Sequence, residues 1–375
     1  MNLFPPRGGV STLGGVFMKY LFESAKRALA HPTNGEINLF IFNVVAAIFP
    51  AIFVSSWYLW AMVVIADLVA FMARGAWCYD QTVAGYNSGN DRALDSQTPP
   101  WQTAVNANCR MFALGGVSIL CYAQEYFGII DASVSTAIRT YGWYVAVIIA
   151  VCEAFRYVLK AMNAADDSWL AGTNGNIGTP NWISIIRIGV ALVTPHIYVA
   201  QSFGDWSNVI ATVLLASAIL TDLLDGHIAR STGQITKAGK ALDPLGDKFI
   251  LYPNAAAFVI ATSGGLAMPD MLRFKVAIIT AIVLTVGRDI LFILWFFLKG
   301  KKLKEGIGAS LVDKARMLTI CAWLGATAMA LTLTGTLFGV LMAWTAFGAL
   351  LLTGLLSVVS FIVDLRRVNK LMKAQ

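Results

Sequence analysis

Apolar stretches of about twenty residues recur from residue 37 to residue 363, and that recurrence leaves the chain few ways to fold. A helix of that length matches the hydrocarbon thickness of a bilayer. Inside lipid, backbone N–H and C=O groups must pair within their own segment, so repeated runs of this kind read as membrane helices. Composition agrees. Of 375 residues, 57% are hydrophobic and 13% charged, against about 45–50% and about 25% in soluble domains. The expected fold class is therefore all-α, a polytopic membrane protein.

The run at 37–73 is too long for one helix and is broken at Ser55-Ser56, so it predicts two spans, 37–54 and 56–74. A polar stretch, 78–108, contains Pro99-Pro100 and predicts a loop. Two more spans are expected at 111–130 and 139–162. A second polar stretch, 164–181, marks the domain boundary. Beyond it come six spans, at 183–202, 207–228, 242–263, 272–298, 313–334 and 337–363. The expected organisation is an amphipathic or disordered N-terminus (1–36), a four-span region (37–163), a linker (164–181) and a six-span core (182–375). Residues 18–30 are basic and amphipathic, which suits a helix on an anionic surface as well as an ordinary solvated helix.

Charge sets the orientation. Arg230, Lys237, Lys240, the 299–304 cluster and the tail 366–373 fall on one side of this topology, while the opposite loops carry almost no Lys or Arg. That asymmetry places the basic side in the cytoplasm, with the chain in the cell membrane. The net charge of +7 reports topology rather than nucleic-acid binding. The five cysteines show no CxxC or zinc spacing and read as small hydrophobes.

Chemistry concentrates in one stretch, Asp222-Leu-Leu-Asp225-Gly226-His-Ile-Ala229-Arg230, followed after eight residues by Gly239-Lys-Ala-Leu-Asp243-Pro-Leu-Gly-Asp247. Acids at the end of a span are costly and functional by default. Asp222 and Asp225 are three apart and share a helix face; Asp243 and Asp247, four apart, share a face of the next helix. Four like charges in a partly buried site repel unless a cation sits among them. Hard divalent ions prefer such oxygens, and two of them suit displacement at phosphorus. Gly226, Ala229 and Gly239 leave room for close approach of a ligand or helix. Arg230 presents a planar fork suited to phosphate.

Together these residues form D-x2-D-G-x2-A-R-x8-G-x3-D-x3-D, which resembles the CDP-alcohol phosphatidyltransferase family at every fixed position, over about residues 177–365. The resemblance implies that Asp222, Asp225, Asp243 and Asp247 hold metal, Mg2+ or Mn2+ and two ions. It implies that Asp247 is also the base for the acceptor hydroxyl, and that Gly226, Ala229, Arg230 and Gly239 face the CDP-lipid donor, CDP-diacylglycerol. Outside the motif, Arg187, Arg288, Lys314 and Arg316 are cations able to meet a phosphorylated acceptor, and Arg187, Arg288 and Lys314 are taken as acceptor-binding. An arginine deep in a span, as Arg288 is expected to be, usually lines a polar cavity. The Pro180-Asn181-x-x-Ser184-x-x-Arg187 segment, Asp243-Pro-Leu-Gly-Asp247-Lys248 and Arg288-Asp289 look like the phosphatidylglycerophosphate synthase branch, which would make the acceptor glycerol 3-phosphate. Cardiolipin synthases of the same family look similar at Thr221–Gly226, with phosphatidylglycerol as acceptor; inositol phosphate and serine are further acceptors. Two departures stand against the first branch: Asp313-Lys314 where it usually has Gly-Lys, and Asp289 where it usually has Glu. Membrane lipids are expected partners, nucleic acid is not, and a homodimer is compatible with this reading. A transporter with an acidic ion site is the alternative from another class, disfavoured because the acids sit at span ends and no internal repeat is seen. His196, mid-span, is expected to be a packed or hydrogen-bonded histidine, and His227 a surface residue.

Overall fold

The computed structural model describes residues 56–88, 101–165, 167–173, 175–261, 276, 279–291 and 311–374. Among these no residue is in a strand. The helices are α1 (Trp57–Ser88), α2 (Trp101–Tyr126), α3 (Ala132–Ala165), α4 (Thr179–Ala200), α5 (Ser207–Thr232), α6 (Lys237–Ala261), α7 (Leu311–Thr332) and α8 (Leu337–Ala374), with a 3-10 turn at Gly204–Trp206. Residues 279–291 are helical as well. Four helices among the described residues are long and apolar enough to cross a membrane: Thr179–Ala200, Gly204–Thr232, Leu311–Thr332 and Leu337–Arg366. The chain is an all-α integral membrane protein. The N-terminal amphipathic segment 18–30 and the expected span 37–54 lie outside the described residues, as does much of 272–298.

The expected loop at 78–108 is shorter than its polarity suggested. α1 runs on through Ser88 and α2 begins at Trp101. Polar side chains do not stop a helix when neither Pro nor a Gly cap intervenes, and Pro99-Pro100 lies in the sequence between the two helices.

By contacts the described residues form two compact units, one holding residues up to Ser207 with Ser217–Ile250, the other Asn208–Ala216 with Leu251 onward. The division does not fall at the linker expected at 164–181. In the first unit α3 and α4 pack backbone to backbone: a Cβ on Gly189 would lie 3.2 Å from the Ile148 Cα, so only glycine permits this approach. The Tyr58 hydroxyl of α1 donates to the Leu192 carbonyl (2.8 Å), three residues before Pro195 within α4. Tyr144 of α3 hydrogen-bonds His196 Nδ1 (2.9 Å) and donates to Ser202 (2.8 Å). His196 is thus the hydrogen-bonded core residue expected. The helices before the linker are walls of the first core helix.

The linker is itself a fixed strap. Trp169 and Leu170 are buried. The Leu170 amide donates to Asn163 Oδ1 (2.9 Å), and the Ala238 amide donates to the Trp169 carbonyl (3.1 Å). Lys237 Nζ donates to Ser168 (2.5 Å). The strap therefore lies on the turn joining α5 to α6. In the second unit, Asn208 and Thr212 of α5 bond the end of α7, with Thr212 and Thr332 hydroxyls 2.7 Å apart. Phe258 meets Trp323 edge to face.

Candidate active site

The turn carrying the motif is built by local chemistry. α5 ends at Gly233, whose φ of 70° is left-handed and suits glycine at a helix C-terminus. Thr236 caps α6: its Oγ1 accepts the Gly239 amide at 2.9 Å. Thr236 and Asn181, both buried, also bond each other, with Asn181 Nδ2 donating to Thr236 Oγ1 (3.2 Å). Pro180 stands in the first turn of α4, where its missing N–H costs nothing. The starts of α4 and α6 are thereby pinned together, and the motif's two halves fall within the first compact unit.

Arg187 organises the acids. Its side chain is fully buried, and Nη1 donates to Asp222 Oδ1 on α5. The same Nη1 is 4.0 Å from Asp225 Oδ2. The guanidinium also lies against Gly246 of α6, where a Cβ would collide with it. Nε and Nη2 of Arg187 are buried without a hydrogen-bond partner. Asp225, 4% exposed, accepts from the Ser184 hydroxyl at 2.5 Å. Asp222 is half-exposed, Asp243 exposed and Asp247 intermediate. Asp243 feels the charges of Asp225, Asp222 and Arg187, and Asp247 those of Asp222, Arg187, Asp243 and Lys248. The four expected acids are therefore one electrostatic group, shared by α5 and α6.

That donor set fits a hard divalent cation: oxygen ligands only, a charge of four against one arginine, and one side open to solvent. Among the described residues no group of three or more acidic, His or Cys side chains is drawn close enough to hold a metal ion. Like charges with one monovalent counter-ion between them are not expected to draw into a tight shell by themselves.

Of the residues expected on the donor side, Gly226, Ala229 and Arg230 lie on α5 and Gly239 on α6. Arg230 is exposed, and a Cβ on Gly226 would stand 3.6 Å from its Nη1, an ordinary contact. Gly226 is therefore not demanded by packing within the protein. Gly239 differs: a Cβ there would lie 3.1 Å from Asn181 Oδ1, so the space beside it is used by α4. His227 is exposed, as expected.

Arg288 belongs to the second unit, within a separate buried network. Its Nη1 donates to Asp289 (2.9 Å); its Nη2 donates to Asp313 (2.9 Å), Ser360 (2.8 Å) and Asp364. Ser360 in turn donates to Asp313. Tyr252 donates to the other Asp289 oxygen at 2.5 Å. Arg316, 6% exposed, is 3.9 Å from Asp289, and its Nε and Nη1 have no hydrogen-bond partner. Lys314 is exposed. Sequence spacing named Arg288 as the telling acceptor cation, yet its fork is filled by protein acids. In that unit the buried Arg316, also among the cations named from the sequence, carries unused donors.

Apolar helices long enough to cross a membrane are thus joined to paired acids, small residues and an arginine on an α5–turn–α6 unit. Residues 177–359 belong to the CDP-alcohol phosphatidyltransferase family, a family of membrane phosphatidyltransferases. Among curated relatives, a cardiolipin synthase (CMP-forming) of Homo sapiens is 44% identical over 73 residues, 19% of this chain and 23% of its own length. A CDP-diacylglycerol–glycerol-3-phosphate 3-phosphatidyltransferase of Pseudomonas fluorescens is 38% identical over 72 residues, 19% of this chain and 36% of its own. An archaetidylinositol phosphate synthase of Pyrococcus horikoshii is 29% identical over 108 residues, 28% of this chain and 48% of its own. The matches span between about a quarter and a half of these relatives' lengths. No solved structure matches the chain.

Proposed function

We propose that the chain transfers a phosphatidyl group from CDP-diacylglycerol to glycerol 3-phosphate and releases CMP, as a step in phospholipid synthesis. The observation that carries this reading is the single electrostatic group of Asp222, Asp225, Asp243 and Asp247 at the α5–α6 turn. These carboxylates would hold Mg2+ or Mn2+, two ions by their number. Bound there, a divalent cation supplies neutralisation of the pyrophosphate and of the departing CMP.

The chain's own groups do the rest. Gly226 and Ala229 leave the backbone of α5 open to the donor's CDP part, and Arg230 offers its fork to phosphate. An Asp247 carboxylate oxygen takes the proton of the acceptor hydroxyl as that oxygen bonds to the phosphatidyl phosphorus. The phosphorus–oxygen bond to CMP breaks, and CMP leaves with the electron pair. On the acceptor side, the Arg288 fork is filled by protein acids, and the contacts of Arg187 favour the carboxylates over an acceptor. The basic residues around the α5–α6 turn support a site facing the cytoplasm, in the cytoplasmic membrane.

A second reading within the family keeps the donor chemistry and takes phosphatidylglycerol as acceptor. The 44% identity to the human cardiolipin synthase favours it. Purified protein given CDP-diacylglycerol, Mg2+ or Mn2+, and in turn glycerol 3-phosphate, phosphatidylglycerol, inositol phosphate and serine decides between them. CMP release with glycerol 3-phosphate is expected. Release with phosphatidylglycerol alone would move the assignment to the second reading. No release with any acceptor, beside an active control enzyme, would remove the transferase reading.

A further inference from the structure

Four acids share this site with one buried cation, and that cation is built into the chain. Arg187 arises from α4, a different helix from either half of the motif, and reaches both α5 and α6. Its side chain is 0% exposed, which costs several kcal/mol unless its charge is answered nearby. The answer comes from Asp222, in direct contact, and Asp225, at 4.0 Å. Two of its nitrogens, Nε and Nη2, remain buried and unbonded. A guanidinium with unused donors inside an acid-rich pocket holds the place of a charge rather than completing a hydrogen-bond network.

We propose that Arg187 is the resident counter-cation of the carboxylate site: it holds the acids together when no metal is bound, and it yields Asp222 to an incoming divalent ion. The inference rests on the metal reading above and makes Arg187 a positioning residue for the acids, not a contact for the acceptor. Gly246 is part of the device. A side chain there would strike the guanidinium, so glycine leaves Arg187 its seat against α6. A fixed cation beside carboxylates that would hold a divalent ion opposes that ion in a partly buried site, so Arg187 should set the metal concentration the site requires.

Mn2+ binding to the full chain, purified in nanodiscs, is measured by electron paramagnetic resonance, together with thermal unfolding in EDTA and in excess Mn2+. Arg187→Met should bind Mn2+ about tenfold tighter or more. It should also unfold earlier than the wild type in EDTA, with the gap narrowing once Mn2+ is added. Arg187→Lys keeps the charge and should stay within about threefold of the wild type. Gly246→Ala, which crowds the guanidinium without removing it, should tighten Mn2+ binding by about two- to fivefold.

Unchanged or weaker Mn2+ affinity in Arg187→Met overturns the inference and leaves the transferase reading intact. If Arg187→Met does not fold, unchanged affinity in a folded Gly246→Ala overturns it equally. A wild type that releases CMP but binds no Mn2+ removes the metal reading, and this inference with it.

Discussion

Two arginines, Arg187 buried and Arg288 11% exposed, each stand among aspartates in contrasting ways. Arg187 is the buried arginine among four carboxylates and satisfies one of them directly. Arg288 has three, Asp289, Asp313 and Asp364, with Ser360 bonding the same fork and Tyr252 bonding Asp289. Arg316 stands by Asp289, so that network holds two cations against three acids. The Asp222 group holds one buried arginine against four acids, with Lys248 near Asp247. A site whose acids outnumber its cations, with Asp222 and Asp243 reaching solvent, can accept cations. A site one charge short, with its acids largely buried and hydrogen-bonded, is already closed. The number of acids per arginine, more than their presence, distinguishes the proposed reacting centre from a brace.

The largest expected effect breaks this comparison at its catalytic end. Asp247→Asn keeps the shape and loses the base, so turnover should fall by about 10²–10⁴-fold, measured as CMP release. CDP-lipid binding should be largely retained. Normal turnover would mean that the base lies elsewhere. Metal removal sharpens the same contrast. EDTA should stop CMP release, and Mg2+ or Mn2+ should restore it. The Arg288 network, being closed by protein groups, should give no reason for metal dependence.

Next in size, Arg288→Met strands three largely buried acids. Removing one partner of a buried ion pair typically costs about 3–5 kcal/mol. Chemical or thermal unfolding in micelles should therefore show a loss of that order. Arg187→Met should cost less, because Asp222 is 42% exposed and can turn to water. Equal losses at the two sites would erase the proposed distinction.

The extent to which these sites were legible in the sequence follows from the range over which their parts act. Asp222, Asp225, Asp243 and Asp247 are paired at helical spacings across a short turn, so local periodicity was enough to bring them together. The membrane class was equally legible, because span length is set by bilayer thickness. What stayed hidden was long-range. Arg187 is 35 residues from Asp222, and nothing in its own segment marks which charge it answers. Arg288 and Asp364 are 76 apart. The polar linker read as a boundary because its composition is that of a loop, whereas Trp169 and Leu170 in it are core residues that fasten the strap to the α5–α6 turn. Gly239 carried the motif's signature, yet its immediate neighbour is Asn181, a contact between α4 and α6 that spacing along one helix cannot reveal.

The smallest expected effects come from a matched pair of hydroxyls. Ser184 donates to Asp225, and Tyr252 to Asp289, each at 2.5 Å. Ser184→Ala and Tyr252→Phe each delete one such bond, and each should cost about 1–2 kcal/mol of stability, since a carboxylate accepts it. Their functional consequences should part company. In the open site the Ser184 hydroxyl bonds Asp225, an acid that the proposed reading gives to a cation. Loss of such an orienting partner typically weakens metal affinity by about 10–100-fold, so Ser184→Ala should raise the Mn2+ concentration needed for half-maximal CMP release by about tenfold. Tyr252→Phe leaves Asp289 its bond from Arg288 and should leave that metal requirement unchanged. A shift with Tyr252→Phe equal to that with Ser184→Ala would make the two arginine clusters one coupled metal-responsive system, and charge stoichiometry would no longer distinguish them.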